Sequence, residues 1–192
     1  QRVRRSRGAG GQEIIVAGVG HGLMMRAGQQ CRGDEAVGRI GCHTVGAAEN
    51  EARLGIDGAV TVEGATLELI EELAAEDWLL AVATGKSDRG LHSCLDTHGI
   101  RHRFISLQTA DRHPSKPHPA MLEAALVEAG VAPGEAVMIG DTSFDMEMAV
   151  AAGVRAIGVS WGYHEAQELL DTGASAVADT AAQLGEMIRG PA

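Results

Sequence analysis

Aromatic residues are scarce: Trp, Tyr and Phe together make up 3% of the 192 residues. Ala, Gly, Val and Leu fill the apolar positions instead, a balance that suits helices close-packed on a sheet better than a β-sandwich. Cysteine is scarce too. Cys31, Cys42 and Cys94 are odd in number and widely spaced, which excludes a disulfide framework or a zinc-ligand pattern and fits a reduced, cytoplasmic setting. Positive charge is in deficit, with 16 Lys and Arg against 26 Asp and Glu and a net charge of −10. That argues against broad nucleic-acid binding, which needs many cations to displace counterions. An acidic protein with a small anionic ligand must supply positive charge locally, from a lysine, a metal or helix ends. No apolar run approaches the length of a membrane span, so no membrane partner is expected. The opening QRVRRSRGAGGQ is basic and Gly-rich without the apolar stretch of a signal peptide, and residues 1–12 read as a disordered tail.

What is present is enough apolar residue, 45% of the chain, to form the core of one ordinary domain. EIIVAGV (13–19) reads as a short buried strand that runs into GVGHG. Residues 25–60 show weak apolar periodicity. From Glu63 the pattern sharpens: 63–76 places Leu67, Ile70 and Leu73 on one helical face, and WLLAVAT follows as a buried strand. A helix over 88–98, the strand RFISL, and a Pro-rich loop opening a helix near Pro117 that stops at Gly130 come next. Then follow AVMIG, a helix to Ala152, VRAIGVS, a short helix over 164–171, SAVA and a last helix from Thr180. Strands alternating with helices predict an α/β fold, a doubly wound parallel sheet with its site at the strands' carboxyl ends.

Three clusters fall at those ends. In AVATGKS, the Thr84 hydroxyl and the free amides around Gly85 suit a phosphate oxygen, although Thr84 would serve equally as a helix cap. In SKPHPA, prolines stiffen the backbone around Lys116, whose ammonium can neutralise a phosphate or a neighbouring carboxylate. In MIGDTSFD, Asp141 and Asp145 follow an apolar strand four residues apart and offer the hard oxygen ligands that Mg²⁺ prefers. The alternative there is a capping Asp141 and a solvent-facing Asp145. His113 and His118 flank Lys116 without a third ligand at metal spacing and read as loop histidines. Met146 and Met148 read as core, and Trp161 with Tyr163 as a rim.

In order and spacing these clusters resemble three of the four signature motifs of the haloacid dehalogenase (HAD) superfamily. Thr84 matches the hydroxyl residue of its second motif, Lys116 the lysine of its third, and Asp141 with Asp145 its GDxxxD fourth. GVSWGYH resembles the phosphoglycolate-phosphatase-like branch. The resemblance covers roughly Glu63 to Ile188 and implies a Rossmann-like core over 13–24 and 61–190. It implies Mg²⁺-dependent hydrolysis of a small phosphorylated metabolite through an aspartyl-phosphate. Thr84 and Gly85 would hold phosphoryl oxygens, Lys116 would pair with nucleophile and phosphate, and Asp141 would bind the metal. Asp145 would bind the metal too, or orient its waters.

One motif is missing. Where the family has Asp-x-Asp-Gly-Thr, IIVAGVGHGL places Gly18 and Gly20 at the two aspartates, and glycine can neither attack phosphorus nor move a proton. Asp57, the Asp-Gly elsewhere in this region, reads as a turn residue. Residues 25–60 are short for the helical cap of this branch and read as a reduced cap or degenerate insert. A second function therefore stands beside the hydrolase, a catalytically dead phosphate- or metal-binding protein on the same scaffold. A dinucleotide-binding turn at GVGHG fails the G-x-G-x-x-G spacing, with Leu23 in the place of the last Gly. The sequence carries no signal for an oligomeric state.

Overall fold

A computed structural model describes residues 13–18 and 62–190. The expected tail over 1–12 and the expected reduced cap over 25–60, with Gly20 and Asp57, lie outside the described residues. The strands are β1 (Ile14–Ala17), β2 (Leu79–Thr84), β3 (Phe104–Thr109), β4 (Ala136–Gly140), β5 (Arg155–Val159) and β6 (Ala176–Ala178). The helices are α1 (Val62–Ala75), α2 (Asp88–Thr97), α3 (Ala120–Ala129), α4 (Ser143–Ala152), α5 (Ala166–Asp171) and α6 (Ala181–Arg189).

The strands form one six-stranded sheet in the order β3-β2-β1-β4-β5-β6, and every pairing is parallel. The chain builds outward from β1 through β2 to β3, then returns to β4 on the other side of β1. The order thus reverses between β1 and β4, where a doubly wound sheet leaves a crevice at its carboxyl edge. The doubly wound parallel sheet read from the alternation is the observed fold.

Helices cover both faces, so the central strands are apolar throughout rather than alternating. Ile14, Val16, Ala81, Ala83 and Met138 join Met121, Leu122 and Ala125 of α3 and Met146 and Met148 of α4 on one face. Ile15, Leu80, Val137, Ile139 and Ile157 meet Leu69 and Leu73 of α1 and Leu184 and Ile188 of α6 on the other. A third cluster joins Val82 to Leu91 and Leu95 of α2. Burying side chains of this size stabilises by roughly 1.5–3 kcal/mol each.

Local signals set the helix ends. Helices α3 and α4 stop at Gly130 and Gly153, whose φ of 68° and 69° lie in the left-handed region that closes helices at low steric cost. Helix α2 begins behind Ser87, whose side chain accepts from Gly90 N. The structure differs from the sequence reading at two boundaries near the site. Helix α3 starts at Ala120 rather than near Pro117, and β3 runs on to Thr109. The first difference follows from the prolines, because a residue before proline is pushed out of helical geometry.

Candidate active site

The carboxyl ends of β1, β2 and β4 carry Gly18, Thr84 and Asp141 side by side, because β1 is hydrogen-bonded to both β2 and β4. Gly18 N donates to Ile139 O at 2.6 Å, which carries the β1–β4 pairing one residue past the strand.

Thr84 is fully buried. Its Oγ1 accepts from Lys86 N at 3.2 Å, which folds the Thr84-Gly85-Lys86 turn back on the strand end. The capping alternative is removed, since Ser87 caps α2. Gly85 is exposed, and nothing lies within 4 Å of the position a Cβ would take there. Its backbone is open to an approaching anion.

Lys116 comes from the ten-residue loop between β3 and α3, where its bond to Pro117 is cis. Its Nζ lies 2.5 Å from Asp145 Oδ1, and the two side chains are 13% and 1% exposed. The other oxygen of Asp145 is engaged as well. Oδ2 accepts from Thr142 N at 3.2 Å and from Thr142 Oγ1 at 2.7 Å. Thr142 is the N-cap of α4 and Asp145 its third residue, so the pair forms a capping box. The alternative of a capping Asp141 and a solvent-facing Asp145 is thereby removed: Thr142 caps α4, and Asp145 is buried.

Asp141 is buried completely, and neither of its carboxylate oxygens has a hydrogen-bond partner among the described residues. Burial lifts its carboxyl to about 6, helped by the negative charge of Asp145 and opposed by Lys116 and by the nearby amides of Asp141 and Tyr163. Those amides lower the charge's cost without reaching hydrogen-bond geometry. A buried carboxylate with both oxygens unpaired is expensive in a closed protein and suits a cation. Mg²⁺ takes one or two protein carboxylates and keeps several waters, so Asp141 fits it. Asp145 already accepts three hydrogen bonds, one at Oδ1 from Lys116 and two at Oδ2 from Thr142, of the roughly four a carboxylate can take. The described residues contain no cluster of three metal-ligating side chains.

Three glycines shape this centre, and two of them the sequence reading did not single out for it. A Cβ on Gly140 would lie 2.2 Å from Asp145 Cβ, and one on Gly162 would lie 2.1 Å from Asp141 Cβ. Gly162 thus lets the Trp-Gly turn after β5 close over Asp141, and His164 N donates to Asp141 O at 3.1 Å. On Gly18, a Cβ would lie 2.2 Å from Asp145 Oδ1 and 2.8 Å from Met138 Cε. A signal for Gly162 was present in GVSWGYH, but only the close approach of β5 to β4 gives it a physical meaning.

The residues around the centre are accounted for locally. His113 Nε2 is 2.8 Å from Gln108 Oε1, and His118 Nδ1 accepts from Ala120 N at 3.2 Å, so both histidines are loop anchors. Met146 and Met148 are fully buried. A separate cavity of about 450 Å³ is lined by Leu67, Glu68, Glu71, Glu72, His98 and Ile100. Its three glutamates repel phosphate and place it apart from this chemistry.

Residues 52–159 match the family described as haloacid dehalogenase-like hydrolase. The chain is 36% identical over 121 residues to "Probable phosphatase IndB" of Dickeya dadantii, covering 62% of this chain and 50% of that protein. It is 35% identical over 135 residues to the phosphoglycolate phosphatase of Rhodospirillum rubrum, covering 70% and 55%. A solved haloacid dehalogenase-like hydrolase from Streptococcus pneumoniae superposes with a TM-score of 0.58 at 27% identity, covering 64% of this chain and 57% of that one. The chain spans about half the length of the curated relatives it matches.

Proposed function

The chain belongs to the haloacid dehalogenase-like hydrolase family, and from that premise we propose a site for Mg²⁺ and the phosphoryl group of a small phosphorylated metabolite. The observation that carries the reading is Asp141, a buried carboxylate with no hydrogen-bond partner for either oxygen. It stands at the sheet's switch point, one turn of chain from the Lys116–Asp145 pair. The relatives named as phosphoglycolate phosphatases support a small phosphomonoester as the ligand class.

Each residue has a separate task in this reading. Asp141 would hold the metal, and Mg²⁺ bound there would offset the phosphoryl charge. Thr84 Oγ1 and the amides around Gly85 hold the remaining phosphoryl oxygens. Lys116 supplies the fixed positive charge that an acidic protein must concentrate to hold an anion. Asp145 aims Lys116 and, through its capping box, fixes the start of α4 against Asp141. Its part is to position the lysine rather than to ligate the metal directly.

By the family resemblance, an aspartyl-phosphate would form on a carboxylate at the end of β1, and Gly18 has no side chain to supply one. Asp145 lies against Gly18 but spends both oxygens on Lys116 and Thr142, so it is held away from attack. The second reading, binding with slow or absent turnover, follows from that one observation. The test measures hydrolysis of a generic phosphomonoester by the full chain, with and without Mg²⁺, beside thermal protection by inorganic phosphate. Phosphate and Mg²⁺ protection that Lys116→Ala and Asp141→Asn abolish is the expected result. Protection by neither ion removes the proposal, and rapid turnover removes the second reading.

A further inference from the structure

Two buried polar side chains have no task in that chemistry. Ser106 and Gln108 of β3 are each 2% exposed. They pair in register with Ala81 and Ala83 of β2, and so face the apolar cluster beneath α3. A glutamine persists in such surroundings only where both ends of its amide are bonded. Gln108 meets that condition. Its Nε2 donates to Ser106 Oγ at 2.8 Å, and its Oε1 lies 2.8 Å from His113 Nε2. An amide oxygen can only accept, so the imidazole donates through Nε2–H, and donation runs in one direction from His113 to Gln108 to Ser106.

This chain of bonds ties the loop that carries Lys116 to the interior of the sheet. His113 stands three residues before Lys116, with Pro114 between them and Pro117 after. Proline fixes its own φ and restricts the residue before it, and Ser115 O accepts from His118 N at 3.1 Å, so few backbone torsions between His113 and Lys116 are left free. The loop's ties to the start of α2 lie at the surface, where Asp111 Oδ2 accepts from Asp88 N at 2.8 Å. Arg112 meets Asp88 at 3.0 Å, but the two side chains are 46% and 40% exposed, and water and salt screen such a pair.

We propose that His113, acting through Gln108, is a further positioning residue, one that holds the loop so that Lys116 reaches Asp145. The value of that aim for ligand binding rests on the proposed function, whereas the aim itself does not. The chain contains two lysines, Lys86 and Lys116, so amine footprinting read by mass spectrometry uses one as reporter and the other as control. In the unmodified full chain, without phosphate or metal, Lys116 should label more slowly than Lys86. His113→Ala should raise Lys116 labelling about 2- to 10-fold, the range a single neutral hydrogen bond commands, and leave Lys86 unchanged. The same variant should weaken inorganic phosphate binding by a similar factor. His113→Gln, which keeps an N–H donor, should restore both, and Gln108→Met carries the same test if His113→Ala does not fold. Unchanged Lys116 labelling in a folded variant overturns the proposal, as does a rise that His113→Gln fails to reverse. Lys116 labelling that responds as expected, in a protein that no phosphate protects, leaves the positioning role standing and removes the proposed function.

Discussion

Asp145 occupies the space that a side chain on Gly18 would need, with Oδ1 2.2 Å from the position of a Cβ there. A side chain added at the end of β1 would therefore find no empty pocket. A neighbour bonded to Lys116 fills the volume. Gly18→Ala should destabilise the fold by about 1–3 kcal/mol, the usual cost of overpacking a close contact. Urea unfolding of the variant checks this, and unaltered stability would show that Asp145 moves freely. Gly18→Asp adds a like charge at the same point, so any gain in phosphomonoester hydrolysis should require Lys116 to exchange Asp145 for the new carboxylate.

The ion pairs of this protein should differ sharply in what their loss costs. Lys116→Ala leaves Asp145 charged and buried without its partner, and should cost about 3–5 kcal/mol. Arg189 also meets two glutamates, Glu72 and Glu76, but at the surface, so Arg189→Ala should cost no more than about 1 kcal/mol. Parallel urea titrations of the two variants give the comparison. Equal losses would mean that burial does not set the strength of the Lys116 pair.

Asp141 should make the protein less stable as pH rises. Its carboxyl titrates near 6 when folded, against an ordinary value of 3.8. Between those values the folded state holds more proton than the unfolded one, so stability falls through this window and the full penalty is present by pH 7. The penalty amounts to about 3 kcal/mol. Asp141→Asn, neutral at every pH, should match the wild type near pH 4 and exceed it at pH 7. Curves that stay parallel from pH 4 to 7 would remove Asp141 as the group responsible.

Mg²⁺ should relieve that same penalty. It should raise the midpoint of thermal unfolding at pH 7.5, do so progressively less below pH 6 as the proton competes for Asp141, and have no effect in Asp141→Asn. Asp145→Asn should keep part of the Mg²⁺ response, because Asp145 acts on Lys116. A full response in Asp141→Asn would place the metal elsewhere.

Much of the fold could be read directly from the sequence. Apolar runs such as AVMIG admit few conformations other than a doubly covered strand. Gly130 and Gly153 mark helix ends because their left-handed conformation suits few other residues. Thr84, Lys116, Asp141 and Asp145 stood out for the same local reason, as polar groups placed immediately after apolar strands or between prolines. The expected start of α3 near Pro117 falls three residues early, because proline suits a first helical turn while Pro119 keeps the residue before it out of helical geometry.

The roles within the site belong to tertiary structure. Sequence spacing presents Asp141 and Asp145 as an equivalent pair, yet one is left without a hydrogen-bond partner and the other is fully engaged. The difference depends on Lys116, 29 residues before Asp145, and on Thr142 at the helix start. The sequence marks Gly18 and Gly162 by motif alone, and each gains a physical meaning only beside the carboxylate atom that occupies the space its side chain would need. Local composition determined which segments became strands and helices. Which carboxylate carries the burden of burial was decided by contacts between segments far apart in the chain, since desolvation and charge pairing depend on distance in space.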